Sequence, residues 1–524
     1  MSTHTRIKPS EYHDSVTLML VAKALLELPG VADAAVVMGT PANRELVAAA
    51  GLLTEAAGAC RPDDLVIVVK AADEAAGQAA LVQADALLAA RAVATTTTAQ
   101  RPKSLASAIA ANPAANLVVI SVAGRYAAQE ARAALERGLH VLLFSDNVPL
   151  DEEISLKKLA VERGLLCMGP DAGTATINGV ALGFANAVPA GRVGLVSASG
   201  TGLQGVTCGL ARRGVGVSQA IGTGGRDLSA SVGGPMMLAG LRALQEDPAT
   251  DVIVLISKPP APSIAARVLA QVQASAKPTV VCFLGADPLP IEAACGFHVT
   301  NLTQAAAAAA AIARGEQPEA ALAQLEQESL ALVPLAAAEQ AKLAPGHAQR
   351  ALRGLFAGGT FCYEAQLILK NLPEPVYSNA ALDKSRAWDQ VGVDAIRPHV
   401  CLDLGEDEFT QGRLHPMMDP TLRNRRIIEA ARDPATAVIL LDIVLGYGAH
   451  PDPAGAAVEA IHEAQRIAGA AGRHIAFIAS VCGTETDPQP LSQQEAILRD
   501  AGVHVLPDNA AAARLAGLIT QACK

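Results

Sequence analysis

Two stretches of this chain place glycine, serine and threonine where a hydrophobic strand run gives way to a helical one. The first, Val193 to Gln204, reads VGLVSASGTGLQ, and the second, Ala357 to Glu364, reads AGGTFCYE. Glycine lets backbone N–H groups approach a ligand, and the first turn of a helix leaves its donors unpaired at the positive end of the dipole. Each stretch is therefore a candidate anion seat. Its phosphate-binding residues would be Ser199, Gly200, Thr201 and Gly202 in the first and Gly358, Gly359 and Thr360 in the second. Neither stretch is a Walker A loop, because no Gly-Lys-Ser/Thr follows, and neither completes Gly-x-Gly-x-x-Gly. The plain alternative is a capped strand-to-helix turn. Two copies favour the functional reading, since helix N-termini on related domains can converge on one anion.

Lys258, Arg226 and His415 are candidate catalytic residues for an anionic substrate, and Gly224, Gly225 and Arg423 join the candidate substrate-binding residues. Lys258, in SKPP at the end of a strand, stands where ligands of open α/β sheets gather. Arg226 follows Gly224 and Gly225, and its guanidinium can grip a carboxylate or phosphate with two prongs. His415 lies between Arg413 and Pro416, ahead of Asp419 and Pro420 as N-cap and first helical residue, with Arg423, Arg425 and Arg426 in the helix. Neighbouring cations would lower its pKa and suit it to act as a neutral donor or base. The alternatives are a solvated lysine, a surface ion pair of Arg226 with Asp227, and a loop histidine satisfying carbonyls. His450 after a strand end is a weaker candidate, and His298 reads as a strand residue. No metal-ligand spacing such as His-Glu-x-x-His occurs.

The elements that must position these residues alternate strand and helix. Residues 1–95 form a small α/β module of ferredoxin-like size, with strand runs at Ala34–Met38 and Leu65–Val69. From about residue 117 the near-continuous hydrophobic strands imply parallel sheets covered on both faces. A unit at 96–190 is followed by units at 191–313 and 350–524, joined by a connector at 314–349 rich in Glu, Gln, Ala and Pro. The last two units read as diverged repeats. Each opens on a Gly-Thr turn, and each carries the tetrapeptide Asp-Pro-Ala-Thr, at 247–250 and 433–436, ahead of a buried strand.

The 524 residues, 51% hydrophobic and 18% charged, are enough for several domains with buried cores. A net charge of −10 without a Lys/Arg tract offers nothing to nucleic acid or an anionic membrane. No apolar run reaches the roughly 20 residues of a membrane span. The polar start, Met1 to Ser10, does not read as a secretory signal, so a cytoplasmic location is expected. Nine cysteines without Cys-x-x-Cys read mostly as reduced core residues.

CMGPD at 167–171, GRVGLVSASGT at 191–201, IGTGGRD at 221–227 and Asp247-Pro resemble the α subunit of succinyl-CoA synthetase, and residues 352–518 resemble the C-terminal domain of its β subunit. MGTPAN at 38–43, FSDN at 144–147, GGRDL at 224–228, SKPP at 257–260 and HPMMDPTLRN at 415–424 resemble the FdrA proteins over nearly the whole chain. The resemblance implies an α/β multi-domain chain. Its parts would be the small N-terminal domain, a Rossmann-like CoA-binding-type domain and two flavodoxin-like domains of succinyl-CoA-synthetase type with parallel sheets.

The synthetases make acyl-CoA through a phosphohistidine held between two helix N-termini. Three of their parts are missing here. Thr95–Ala111 has no glycine for a CoA loop, CFLGADPLP at 282–290 has no histidine, and the ATP-grasp half of the β subunit is absent. Lys258 also replaces a carboxylate of the ligase pattern. FdrA proteins are associated with oxamate carbamoyltransferase in allantoin and purine catabolism. The resemblance thus implies carbamoyl transfer between carbamoyl phosphate and oxamate, with co-encoded partner subunits, a possible homo-oligomer and no required cofactor. CoA or a nucleotide would enter only if the chain were a subunit of an acid–CoA ligase. A non-catalytic binding or regulatory scaffold is the third reading.

Overall fold

The computed structural model describes residues 1–13, 15–93, 102, 104–343, 349–388, 398–410 and 413–521. The first domain boundary, most of the glycine-free stretch's beginning and the end of the connector lie outside the described residues. The chain divides into two compact units, Met1–Pro113 with Thr410–Leu414, and Ala114–Phe409 with His415–Lys524.

The first unit pairs β1 (Ser2–Lys8), β2 (Val31–Met38) and β3 (Leu65–Ala71) antiparallel in the order β1-β3-β2. Helices Ser15–Leu26 and Glu74–Val93 contribute Leu18, Val21, Leu25 and Leu88 to a core shared with Leu65, Ile67 and Val69.

Among the described residues the second unit holds three sheets. β4 (Leu117–Ile120), β5 (His140–Leu143) and β6 (Cys167–Met168) form a short parallel sheet. The next seven strands are β7 (Thr174–Ile177), β8 (Val180–Gly183), β9 (Ala190–Ser197), β10 (Val217–Gly222), β11 (Val252–Ser257), β12 (Thr279–Phe283) and β13 (Phe297–His298), in the order β13-β12-β11-β9-β10-β7-β8. The β7–β8 hairpin, within the stretch 96–190, adds antiparallel to the edge of this otherwise parallel sheet. The last six are β14 (Ala351–Phe356), β15 (Val376–Tyr377), β16 (His399–Asp403), β17 (Thr436–Val444), β18 (Ala476–Cys482) and β19 (His504–Leu506), in the order β15-β16-β14-β17-β18-β19.

The repeat is visible in these orders. β10-β9-β11-β12-β13 and β16-β14-β17-β18-β19 are the same 2-1-3-4-5 flavodoxin-like arrangement, whose ligands bind outside the carboxyl ends of the strands where the order reverses. The shared tetrapeptide does the same work twice. Asp247 and Asp433 each end a helix, and their carboxylates accept from Ala249 N at 3.0 Å and Ala435 N at 2.9 Å.

Every residue of β11, β17 and β18 is buried, as helices on both faces require. Alanine sets the helix spacing. In the helix Leu302–Ala313, Ala305 to Ala311 are all buried, and a Cβ added at Gly209 of the helix Gly200–Arg212 would come within 2.7 Å of Ala306 Cβ. The connector is helical, at Pro318–Leu330 and Leu332–Gln340, and Gln340 donates to Leu518 O at 2.7 Å. No helix among the described residues is long and apolar enough to cross a membrane.

Candidate active site

β9 and β14 are the central strands of their sheets, and each runs into a helix that starts at the strand's carboxyl end. Helix Gly200–Arg212 is capped by Ser199, whose Oγ accepts from Gly202 N at 2.9 Å. Helix Gly359–Leu369 has Gly358 at its N-cap. The two N-termini meet directly. The Ser199 and Thr360 hydroxyls are hydrogen bonded, and Thr360 N donates to Thr201 Oγ1 at 3.3 Å. Behind this contact a Cβ at Gly205 would lie 3.0 Å from the Phe361 ring, so glycine lets the two helices close together.

The cradle is not symmetric. In the first copy, Ser199 N donates to the Ser197 hydroxyl at 3.0 Å. In the second, Ala357 N and Gly358 N both donate to the carboxylate of Asp442 at 2.7 Å. The N–H of Gly358 is thus already taken by the protein's own anion. The amides of Gly200, Thr201 and Gly359 keep no partner among the described residues, as the first turn of a helix allows.

Arg423 stands behind this arrangement. It is buried, donates to Asp442 O at 2.7 Å and lies 3.7 Å from Asp442 Oδ1, so it balances the capping carboxylate. Burial lowers its pKa and raises that of Asp442. Its helix, Thr421–Arg432, begins one residue later than the sequence suggests: Pro420 is the N-cap, and Asp419 accepts from Thr421 N at 3.2 Å. Helix ends read from sequence commonly shift by such a step.

Asp403, at the end of β16, sits against the same turn. A Cβ on Gly359 would come within 2.4 Å of Asp403 Oδ2, so glycine there leaves room for the carboxyl. Its backbone is pinned by Asn379, which donates to Asp403 O at 2.8 Å and accepts from Asp403 N at 2.9 Å. Burial, reinforced by Glu406, pushes Asp403 up to about 7, against the pull of Lys258. Lys258 is half-buried, with its ammonium 5.4 Å from the Tyr363 ring centroid on the second helix. His415 completes the cluster. Its Nδ1 accepts from Met417 N at 3.2 Å, which leaves the proton of the neutral ring on Nε2, and Nε2 would be 2.7 Å from a Cβ at Gly405. Its pKa is lowered to about 4, as the sequence suggests, but the cause is burial and not neighbouring cations.

The Gly-Gly-Arg-Asp segment follows β10, the parallel neighbour of β9, and Thr223 N just before it donates to Ser197 O at 2.8 Å. Gly224 has φ +85°, and a Cβ there would reach within 2.4 Å of Pro170 O; Gly225 faces open space. Arg226 pairs with Glu153 at 2.8 Å and donates to Val148 O at 2.8 Å, so the expected alternative of a pair with Asp227 does not hold. Asp227 is buried, accepts from Lys157 at 2.9 Å, and caps the helix Pro235–Glu246 through Met237 N at 2.9 Å. The segment thus ties one helix to another. His298 is on β13, and His450 Nδ1 accepts from Asp452 N at 3.1 Å.

Sequence reasoning missed Asp403 and Asp442. The available signal was an acid at or near the carboxyl end of a buried parallel strand, as in VCLD and ILLD. Asp171, which follows β6, is exposed.

Two buried carboxyls, Asp403 and Glu364, therefore stand at about 7 in the folded chain and near 4 when unfolded. Between those values the folded state holds more protons, so the stability they contribute is present below about pH 4 and lost as pH rises through 7. Thermal unfolding should give a lower Tm at pH 8 than at pH 5.5, and Glu364→Gln should flatten the decline. A Tm that climbs over this range would contradict the assignment.

Two parallel flavodoxin-order sheets meeting at their helix N-termini are an acyl-CoA-ligase architecture, and the comparisons agree. Residues 189–285 match the CoA binding domain family and residues 355–519 the CoA-ligase family, while residues 1–104 match the heavy metal-associated domain of AllF. The chain is thus a succinyl-CoA-synthetase-like protein with an AllF-type N-terminal domain. It is 44% identical over 507 residues, 96% of each chain, to the uncharacterized protein YahF of Escherichia coli (strain K12), and it belongs to that family.

Among solved structures it is similar to ATP citrate lyase from Methanothrix soehngenii in complex with citrate and coenzyme A, at 17% identity and a TM-score of 0.35. That match covers 39% of this chain and 40% of the lyase. It is also similar to acetyl-coenzyme A synthetase 1 of Ca. Korarchaeum cryptofilum, at 15% identity and a TM-score of 0.31, over 78% of this chain and 82% of that one. Among the described residues no group of three His, Cys, Asp or Glu side chains is placed to hold a metal ion, and Cys60, the one cysteine of residues 1–113, is buried and donates to Ala57 O at 3.0 Å.

Proposed function

We propose that this chain is the FdrA-like subunit of an oxamate carbamoyltransferase, which moves a carbamoyl group between carbamoyl phosphate and oxamate. The observation that carries this reading is the junction of Ser199 and Thr360, where two helix N-termini meet with the amides of Gly200, Thr201 and Gly359 unpaired among the described residues. Donors held there favour the charge that grows on a departing phosphate, and preorganised donors act most strongly where charge develops. The loop after β12 carries no histidine to store a phosphoryl group, so direct transfer fits better than a phosphoenzyme.

In that reaction the oxamate nitrogen attacks the carbamoyl carbon, the C–N bond forms, the C–O bond to phosphate breaks, and the nitrogen gives up a proton. Asp403, ionised above about pH 7, takes that proton, and His415 Nε2–H donates to an oxygen of the substrate. Lys258 supplies positive charge for the acceptor carboxylate. Arg226 and Arg423, already engaged with Glu153 and Asp442, support the surrounding fold. Partner subunits encoded with this chain would complete the assembly, and no cofactor takes part.

The CoA-binding and CoA-ligase matches favour one second reading, an acid–CoA ligase subunit whose histidine and nucleotide site come from another chain. A single assay separates the two. The protein, with and without its co-encoded partners, is given carbamoyl phosphate and oxamate, or ATP, CoA and succinate. Oxalurate and phosphate should form in the first mixture; thioester without oxalurate would establish the ligase, and silence in both would leave a scaffold. Lys258→Ala should reduce turnover at least tenfold while Tm moves little, since a half-exposed lysine rarely matters for folding.

A further inference from the structure

At the opposite edge of the C-terminal sheet, around the amino ends of β18 and β19, a cavity of about 250 Å³ opens between the sheet and the connector. About 10–15 Å³ of such space holds one water, so a small molecule fits. Its wall carries Lys342, Arg473, His474 and His504 against one carboxylate, Glu339. That carboxylate is fully engaged: it lies 2.5 Å from Lys342 Nζ, 2.7 Å from His474 Nε2 and 2.9 Å from His504 Nε2. Burial would raise its pKa, but these three partners hold it down at about 2, so it stays ionised and keeps both imidazoles in place.

Arg473 is the surplus cation. It donates to Ala431 O at 2.7 Å and Asp433 O at 3.1 Å, and no carboxylate lies within ion-pair distance among the described residues. Two of its five donors are used, and Lys342, about half exposed, has used one of three. The Nδ1 atoms of both histidines also keep no hydrogen bond among the described residues.

We infer that this pocket binds a compact dianion, a phosphate monoester or a short dicarboxylate, between Arg473 and Lys342. Such an anion would join the sheet to the connector, because Lys342 follows the helix Leu332–Gln340 while Arg473 precedes β18. The inference is independent of the carbamoyltransferase reading, since none of these residues belongs to the helix junction.

The test uses the full chain. Crystals soaked in tungstate should show anomalous density between Arg473 and Lys342. Titration of inorganic phosphate and of malonate into the Lys258→Ala variant should give saturable binding that weakens at least tenfold in a further Arg473→Gln or Lys342→Gln change. Tighter binding of phosphate assigns a phosphoryl ligand and tighter malonate a dicarboxylate; either upholds the site. Because Arg473 also holds two carbonyls, Lys342→Gln keeps the test decisive if the arginine variant fails to fold. Absence of density at this place, or binding unchanged in the Lys342→Gln variant, would overturn it.

Discussion

Asp403→Asn is expected to lower kcat for oxalurate formation by about 10²–10⁴, the usual contribution of a positioned acid or base. The wild-type rate should rise as pH passes through about 7, where the buried carboxyl ionises, and the variant should lose that rise. The sign follows from the role: a base acts when deprotonated, so activity belongs on the alkaline side. Asparagine retains the shape beside Gly359, so folding should survive and the loss should fall mainly on kcat. A full rate in Asp403→Asn, or a profile flat from pH 6 to 8 in the wild type, would remove Asp403 from the mechanism.

The second large effect is on stability. Arg423→Ala removes the buried cation that balances Asp442, and an uncompensated buried charge costs about 3–5 kcal/mol. Asp442 cannot simply be dropped as well, because Ala357 N and Gly358 N would lose their acceptor, and each unsatisfied buried donor costs about 1–3 kcal/mol. Urea denaturation should therefore show Arg423→Ala strongly destabilised, with little relief in Arg423→Ala/Asp442→Ala. A loss below about 1 kcal/mol would mean that solvent reaches this pair.

The parallel sheets, the repeat and the two glycine turns were legible because each rests on local pattern: continuous apolar strands, a recurring tetrapeptide, small residues at a strand end. The partners of charged residues were not. Arg226 stands next to Asp227 in the chain, yet it pairs with Glu153, and Asp227 is turned inward to Lys157 and a helix N-terminus. Ion pairing follows tertiary approach, which adjacency does not encode. The lowered pKa of His415 was right in direction but wrong in cause, because burial of a loop cannot be read from its composition. Asp403 and Asp442 escaped notice since one acid near the carboxyl end of a strand carries no spacing signal until the neighbouring strand's turn is brought beside it.

The succinyl-CoA-synthetase-like halves that meet at Ser199 and Thr360 are carried on one polypeptide. Their encounter is therefore a first-order event, governed by a tether and insensitive to how dilute the protein becomes. Such a molecule keeps its half-sites in strict one-to-one proportion at any expression level, and lowering its concentration cannot separate them.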